Sequence, residues 1–107
     1  MKKIAILIIL FSCLACQAAE PDYNKLADII YKIEGGAKTK YPYGIMSIKT
    51  SNPRQVCINT CKNNYKRWQA KPLGKTYFDY LADVYCPPSA DRQGNINWKR
   101  NLKKLYN

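Results

Sequence analysis

The chain contains no histidine among its 107 residues, and this absence excludes several catalytic classes. Serine and cysteine nucleophiles are usually activated by a histidine base, and catalytic zinc is usually held by histidine. Cys57, Cys61 and Cys86 lack a fourth soft ligand and make a poor structural zinc site. No glycine-rich loop opens a helix to hold phosphate, because Gly35 and Gly36 follow the first predicted helix. We therefore expect neither a metal nor another cofactor.

Acidic residues are also few, and the seven of them are Glu20, Asp22, Asp28, Glu34, Asp79, Asp83 and Asp91. Once histidine-dependent catalysis, metal sites and phosphate-binding loops are excluded, catalysis by a carboxyl group is the class of reaction that remains. For most of these residues we expect solvated positions or structural ion pairs. Asp79 and Asp83 lie one helical turn apart and are expected to face lysine or arginine neighbours.

Glu34 differs from the other acidic residues in its surroundings. It ends a predicted apolar helix, and Gly35 and Gly36 stop that helix behind it. Partial burial without a cationic partner raises the pKa of a carboxyl group towards the range that a general acid needs. The alternative is a helix-end carboxylate that is paired with Lys38 or Lys40.

Long apolar runs are absent apart from one at the N-terminus. Residues 4–11 are apolar and follow Lys2 and Lys3, and they are too few to cross a bilayer as a helix. A basic start followed by a short apolar stretch predicts a signal peptide over residues 1–19. The protein is therefore expected to be exported.

Two kinds of cleavage site are compatible with this leader. Small residues favour cleavage after Ala18 or Ala19, whereas a lipoprotein signal would be cut before Cys13 or Cys16 and would anchor the protein to a membrane by its lipid. In either case we expect residues 20–107 to form a single domain, which is located in the periplasm or cell envelope or is secreted.

The remaining domain has an excess of positive charge. Without Lys2 and Lys3, 16 of the 18 basic side chains remain against 7 acidic ones, a difference of +9. This excess favours an anionic partner such as a cell-wall polymer, an anionic lipid or lipopolysaccharide, and nucleic acid is not expected in that compartment. The ordinary alternative is a soluble basic surface without a dedicated partner.

Apolar spacing and capping residues predict an all-α domain of four short helices, over residues 21–34, 53–68, 77–85 and 95–105. Trp98, Leu102 and Leu105 are expected on the apolar face of the last helix. Residues 37–52 contain Pro42 and predict a structured loop with at most a short extended piece, which would line a cleft.

Cysteine is expected to stabilise this small fold. Cys57 and Cys61 are one helical turn apart, so we expect a disulfide between one of them and Cys86, with the remaining thiol either buried or paired with another chain. Either pairing would stabilise the domain by about 3 to 4 kcal/mol in the chain-entropy model.

Two segments together resemble the lysozyme-like superfamily, especially the lytic transglycosylases and goose-type lysozymes. The first is Glu34-Gly35-Gly36 at a helix end, and the second is Gly44-Ile45-Met46-Ser47-Ile48 after a loop. Tyr85 before Cys86 is similar to the tyrosine of the family's Ala-Tyr-Asn-Ala-Gly segment. The chain departs from the family at Gly35, where serine is usual, at Ser47, where glutamine is common, and after Tyr85.

The resemblance implies a small lysozyme-like domain that cleaves the β-1,4 bond between N-acetylmuramic acid and N-acetylglucosamine in peptidoglycan strands. Glu34 would be the general acid and, in the transglycosylase variant, also the base. The residues that the resemblance implies for substrate binding are Tyr43, Gly44, Met46, Ser47 and Tyr85. The enzyme is expected to act as a monomer.

Two other classes of function remain open from the sequence. The short chain and the departures from the family pattern also fit a non-catalytic, cationic module that binds the cell envelope. The charge alone would fit a cationic membrane-active or toxin-like protein.

Overall fold

The computed structural model describes residues 20–44 and 50–107, and this part of the chain is helical without any strand. Its four α-helices are α1 (Tyr23–Ile33), α2 (Pro53–Ala70), α3 (Tyr77–Tyr85) and α4 (Arg92–Tyr106). A short 3-10 turn, Gly36–Lys38, follows α1. The prediction of an all-α domain is confirmed. The predicted leader and the possible extended piece at residues 45–48 lie outside the described residues.

Each helix begins with a polar side chain that accepts a hydrogen bond from a backbone N–H three residues later. These four N-cap residues are Asp22, Asn52, Thr76 and Asp91. Such caps satisfy N–H groups that have no partner within the helix. The prediction of a start at Asn95 for α4 was wrong, because Asp91 accepts from the Gly94 N–H and the helix begins at Arg92.

The core lies where α1 packs on α2 and α4, while α3 packs on the same two helices. Its largest fully buried side chains are Leu26, Ile30, Cys57, Cys61, Leu81 and Leu102. Leu105, which was predicted on the apolar face of α4, is instead 42% exposed. Within the described ranges, no helix combines the length and apolar character needed to cross a membrane.

A buried polar contact joins α2 to α3 inside this core. The Tyr77 hydroxyl donates a hydrogen bond of 2.8 Å to the backbone carbonyl of Cys61. Tyr77 also packs edge-on against Tyr65, with ring centroids 5.0 Å apart. Burial raises the pKa of Tyr77, so its hydroxyl remains a donor.

The predicted disulfide is not present. Cys57 and Cys61 are buried on the inner face of α2, and Cys86 is the partly exposed residue that ends α3. All three are free thiols. The spacing argument failed because Cys57 and Cys61 are part of the helical core, where the Cys57 sulfur lies 3.3 Å from the Tyr85 hydroxyl.

Reductant is expected to leave the melting temperature unchanged, because none of the three thiols is in a disulfide. A thiol reagent should modify the partly exposed Cys86 quickly in the native protein and the two buried thiols only after unfolding. Thiol counts with and without denaturant, and thermal melts with and without reductant, test both points. A melting temperature that falls on reduction would contradict the absence of a disulfide.

Candidate active site

Glu34 caps the C-terminal end of α1, directly after the apolar face of that helix. Its backbone N–H donates to the Ile30 carbonyl at 2.9 Å, which places the side chain at the edge of the core. The chain then turns away through Gly35 and Gly36, whose φ angles of 101° and 56° are left-handed. Left-handed backbone of this kind strongly favours glycine, so the two glycines fix where the helix stops.

The Glu34 carboxyl group is partly buried, and its environment changes its acidity. Burial raises the pKa of Glu34 above its ordinary value, and a hydrogen bond from Trp98 partly opposes that rise. Within residues 20–44 and 50–107, neither Lys38 nor Lys40 forms an ion pair with Glu34. The alternative of a helix-end carboxylate paired with one of these lysines is therefore not observed.

Gly44 brings the loop backbone against two other predicted site residues. Its φ angle is +70°, and a Cβ atom at this position would lie 3.1 Å from the Tyr85 ring and 3.2 Å from Glu34 Oε1. A side chain would crowd both groups, so only a glycine lets the loop approach this closely. The structure thus brings Glu34, Gly44 and Tyr85 together, although they come from α1, the following loop and α3.

Tyr85 forms a flat wall beside the carboxyl group. Its ring stacks on Trp98 with a centroid distance of 5.2 Å and an interplanar angle of 12°. Burial raises the pKa of Tyr85, and its hydroxyl is hydrogen-bonded to the Cys57 sulfur. Tyr85 therefore presents its ring at the site, while its hydroxyl is engaged in the core.

Trp98 is the site residue that sequence reasoning missed. Its indole N–H donates a hydrogen bond of 3.2 Å to Glu34 Oε1, across 64 positions of sequence. The amphipathic pattern of α4 predicted only that this side chain would face inwards. The one available signal was chemical, since a buried tryptophan usually needs an acceptor for its N–H.

A polar contact one turn earlier holds α4 against the end of α3. The Asn95 side-chain amide donates to Asp83 Oδ1 at 2.9 Å and to the Cys86 carbonyl at 2.8 Å. Because Asn95 is buried, these bonds are well shielded from water. They fix the register that brings Trp98 to Tyr85.

The loop before Gly44 is held by aromatic and cationic groups. Tyr43 packs on Tyr31 with ring centroids 5.3 Å apart. The pKa of Arg54 is raised by its ion pair with Asp28 and, to a lesser degree, by a hydrogen bond with the Tyr43 side chain. Tyr43 is therefore placed as a loop anchor. Met46 and Ser47, also predicted to bind substrate, lie outside the described residues.

The six other acidic residues are engaged in contacts away from Glu34. Asp22 and Asp91 cap helices, and Glu20 accepts from the Tyr23 hydroxyl. The ion pairs expected on α3 are present, and they join Asp79 to Lys103 and Asp83 to Lys75 and Lys99. Asp28 pairs with Arg54. Glu34 is consequently the only carboxylate of the chain placed at this site by the described contacts.

The chain was compared with protein-family models, curated proteins and solved structures, and none of them matches it. The chemistry of the site is therefore argued from its own geometry. A partly buried carboxyl group lies beside the Gly44 backbone and the stacked Tyr85 and Trp98 rings, and its raised pKa is the property that a proton donor needs.

The raised pKa of Glu34 predicts how stability depends on pH. The native state holds the proton more tightly than the unfolded chain, so stability falls as pH rises through the folded pKa. Glu34→Gln lacks this loss. Its melting temperature is expected to equal that of the wild type at about pH 3, below the ordinary pKa of glutamate, and to exceed it at about pH 7, above that pKa. Thermal melts across pH test this, and a difference that is independent of pH would contradict it.

Proposed function

We propose that this domain cleaves peptidoglycan glycan strands, with Glu34 as the general acid and base on the β-1,4 bond after N-acetylmuramic acid. The observation that carries the proposal is the partly buried Glu34 carboxyl group, which faces Gly44 and Tyr85 without a cationic partner among the described residues. A raised pKa keeps a larger fraction of such a group protonated near neutral pH, as an acid catalyst requires.

In the first step, Glu34 gives its proton to the glycosidic oxygen as the bond from that oxygen to the anomeric carbon breaks. The N-acetylglucosamine side leaves as an alcohol, and positive charge develops on the muramyl ring. The Glu34 carboxylate then accepts the proton of the muramyl 6-hydroxyl as that oxygen attacks the anomeric carbon. A 1,6-anhydro ring forms and Glu34 is protonated again, so no second carboxylate is consumed.

The distribution of acidic residues favours this one-carboxylate route. Hydrolytic glycosidases ordinarily use two carboxyl groups on either side of the scissile bond. All acidic residues of the chain lie within the described part, and the six others have contacts elsewhere. Intramolecular attack by the muramyl hydroxyl removes the need for a second group to activate water.

The remaining features fit an enzyme of the cell envelope. The described part of the chain is an all-α domain with the acid at the end of its first helix, and we propose that it is a small lysozyme-like domain. The leader would export it to the periplasm, the envelope or the medium, with lipid anchoring as a variant, and the charge of +9 would hold the monomer near an anionic wall.

A second candidate is a non-catalytic protein that binds peptidoglycan or another envelope polymer. The observation that favours it is electrostatic. The acidic side chains are engaged within the fold as helix caps, ion pairs and hydrogen-bond acceptors, so the excess cations are left to face solvent. Such a surface binds anionic polymers without any chemistry, and its affinity falls with salt.

Mass spectrometry of the soluble products released from purified sacculi separates these functions. Anhydro-muropeptides would establish the transglycosylase reaction, and reducing-end muropeptides would establish a hydrolase with water as the acceptor. Sacculi that bind the protein at low salt but release no product would overturn the enzymatic proposal in favour of the binding function. Cleavage that is retained in Glu34→Gln would overturn the assignment of Glu34.

A further inference from the structure

The acid at the candidate site is held by one side chain from a distant part of the sequence. Trp98 is 6% exposed, and its N–H reaches Glu34 Oε1 at 3.2 Å. The indole has little freedom to move, because Tyr85 is stacked on its face. Asn95, one turn earlier on α4, anchors the same helix to Asp83 and to the end of α3.

We propose that Trp98 is a positioning residue that determines which oxygen of Glu34 carries the transferable proton. An indole N–H can only donate a hydrogen bond, so the oxygen that it contacts must act as an acceptor. That oxygen is Oε1, which also faces the Gly44 backbone. The carbonyl oxygen of a neutral carboxyl group is a better acceptor than its hydroxyl oxygen, so this contact favours the proton of neutral Glu34 on Oε2, the atom that would deliver it.

The same contact serves the return step. When Glu34 is ionised, the Trp98 N–H stabilises the carboxylate and keeps its plane fixed until the second proton arrives. Two opposing influences thus act on one group, since burial favours the protonated acid and Trp98 favours the ionised base. An acid that must change roles within one turnover benefits from both.

Other titratable groups face Glu34 from the elements that pack around it. Tyr85 and Cys86 come from α3 and its end, and burial raises the pKa of both, so they stay neutral. Cys57 on α2 has a lowered pKa, first because the Cys61 thiol hydrogen-bonds to it. A control without Glu34 is needed to separate these groups from the carboxyl titration.

The direct test is an NMR pH titration of the Trp98 indole N–H. Its resonance is expected to shift with the titration of the Glu34 carboxyl carbon in the wild type. The shift should vanish in Glu34→Gln, which isolates it from Cys57, Tyr85 and Cys86. An indole resonance that does not respond to the ionisation of Glu34 would overturn the proposal, and this experiment does not depend on any Trp98 variant folding.

Trp98→Phe provides the second test, because phenylalanine keeps an aromatic ring for Tyr85 but removes the N–H donor. We expect kcat for wall cleavage to fall about tenfold, as for the loss of one hydrogen bond to a charged group, with little change in KM. The Glu34 titration and the alkaline limb of the pH profile should both move to higher pH. A pH profile identical to that of the wild type would contradict the positioning role.

Trp68→Phe is the matched control. The Trp68 N–H also donates a hydrogen bond, but its acceptor is the Lys75 carbonyl at 2.8 Å. Loss of this bond should lower stability while leaving the pH profile unchanged. An equal shift of the profile in both variants would show that Trp98 acts only through general stability.

The kinetic part of this inference rests on the proposed function, but the titration does not. A coupled Trp98 and Glu34 titration in a protein that never releases muropeptides would leave the contact established and remove the enzymatic role. If cleavage requires Glu34 but its rate and pH profile are unchanged in Trp98→Phe, the enzymatic function stands and the positioning role of Trp98 is removed.

Discussion

Glu34→Gln is expected to reduce the rate of muropeptide release from sacculi by about a thousandfold, which is within the usual range for loss of a general acid. Glutamine has nearly the same size as glutamate, and its side-chain oxygen can still accept from the Trp98 N–H. What it lacks is a proton that can be given to the glycosidic oxygen and taken back. The variant should therefore fold and bind sacculi as the wild type does. Initial rates of release, measured by chromatography at matched binding, provide the readout.

Glu20→Gln is the matched control for this experiment. The change is chemically identical, but Glu20 is exposed and accepts only a hydrogen bond of 3.0 Å from the Tyr23 hydroxyl among its described contacts. Its rate should stay within about twofold of the wild type, since surface substitutions have small effects. Equal losses in both variants would point to net charge as the cause, and no loss in either would remove Glu34 from the chemistry.

The helices could be predicted from the sequence because their signals are local. Apolar residues recur at helical spacing in α1, and Asn52 followed by Pro53 marks the start of α2. The start of α4 was misplaced because residues 89–94 are rich in turn-forming types. In the structure the cap at Asp91 prevails over the low helix propensity of Gly94.

The cysteines show where the expectation of a disulfide in a small domain fails. Small domains often need disulfides, and on that basis Cys86 was expected to pair with a cysteine of α2. In this chain the two α2 cysteines behave as small apolar core residues. Whether a cysteine faces the core depends on how α2 packs on its neighbours, which its spacing alone does not reveal.

The site was only partly predictable for a similar reason. Glu34 could be singled out because the apolar helix before it and the two glycines after it are visible in one short segment. Its approach to Gly44 and Tyr85 was implied by a resemblance, and the structure brings the three together. The Trp98 contact depends on the register of α4 against α3, set by Asn95, and no local pattern encodes that register.

Gly44→Ala is expected to produce the second large effect, a loss of about a hundredfold in the rate of wall cleavage, of the size that small misplacements at active sites cause. A methyl group here would press on the Tyr85 ring at 3.1 Å and on Glu34 Oε1 at 3.2 Å. Either the carboxyl group or the loop must then shift, and Glu34 loses its orientation. The positive φ of Gly44 adds strain of about 1 kcal/mol. Rates and thermal melts measure the two effects separately.

Gly74→Ala separates crowding from strain, because Gly74 has nearly the same φ, +71°, but an added Cβ would meet nothing within 4 Å. Gly74 precedes α3, whereas Tyr85 ends it, so the control lies away from the carboxyl group. Both variants should lose a similar amount of stability from the left-handed backbone, and only Gly44→Ala should lose activity. If both kept full activity, close approach of the Gly44 backbone to Glu34 would have no catalytic role. If both variants lost activity equally, backbone strain would be the cause of the loss. A loss confined to Gly44→Ala would show that the cleavage rate depends on the space between Gly44 and Glu34.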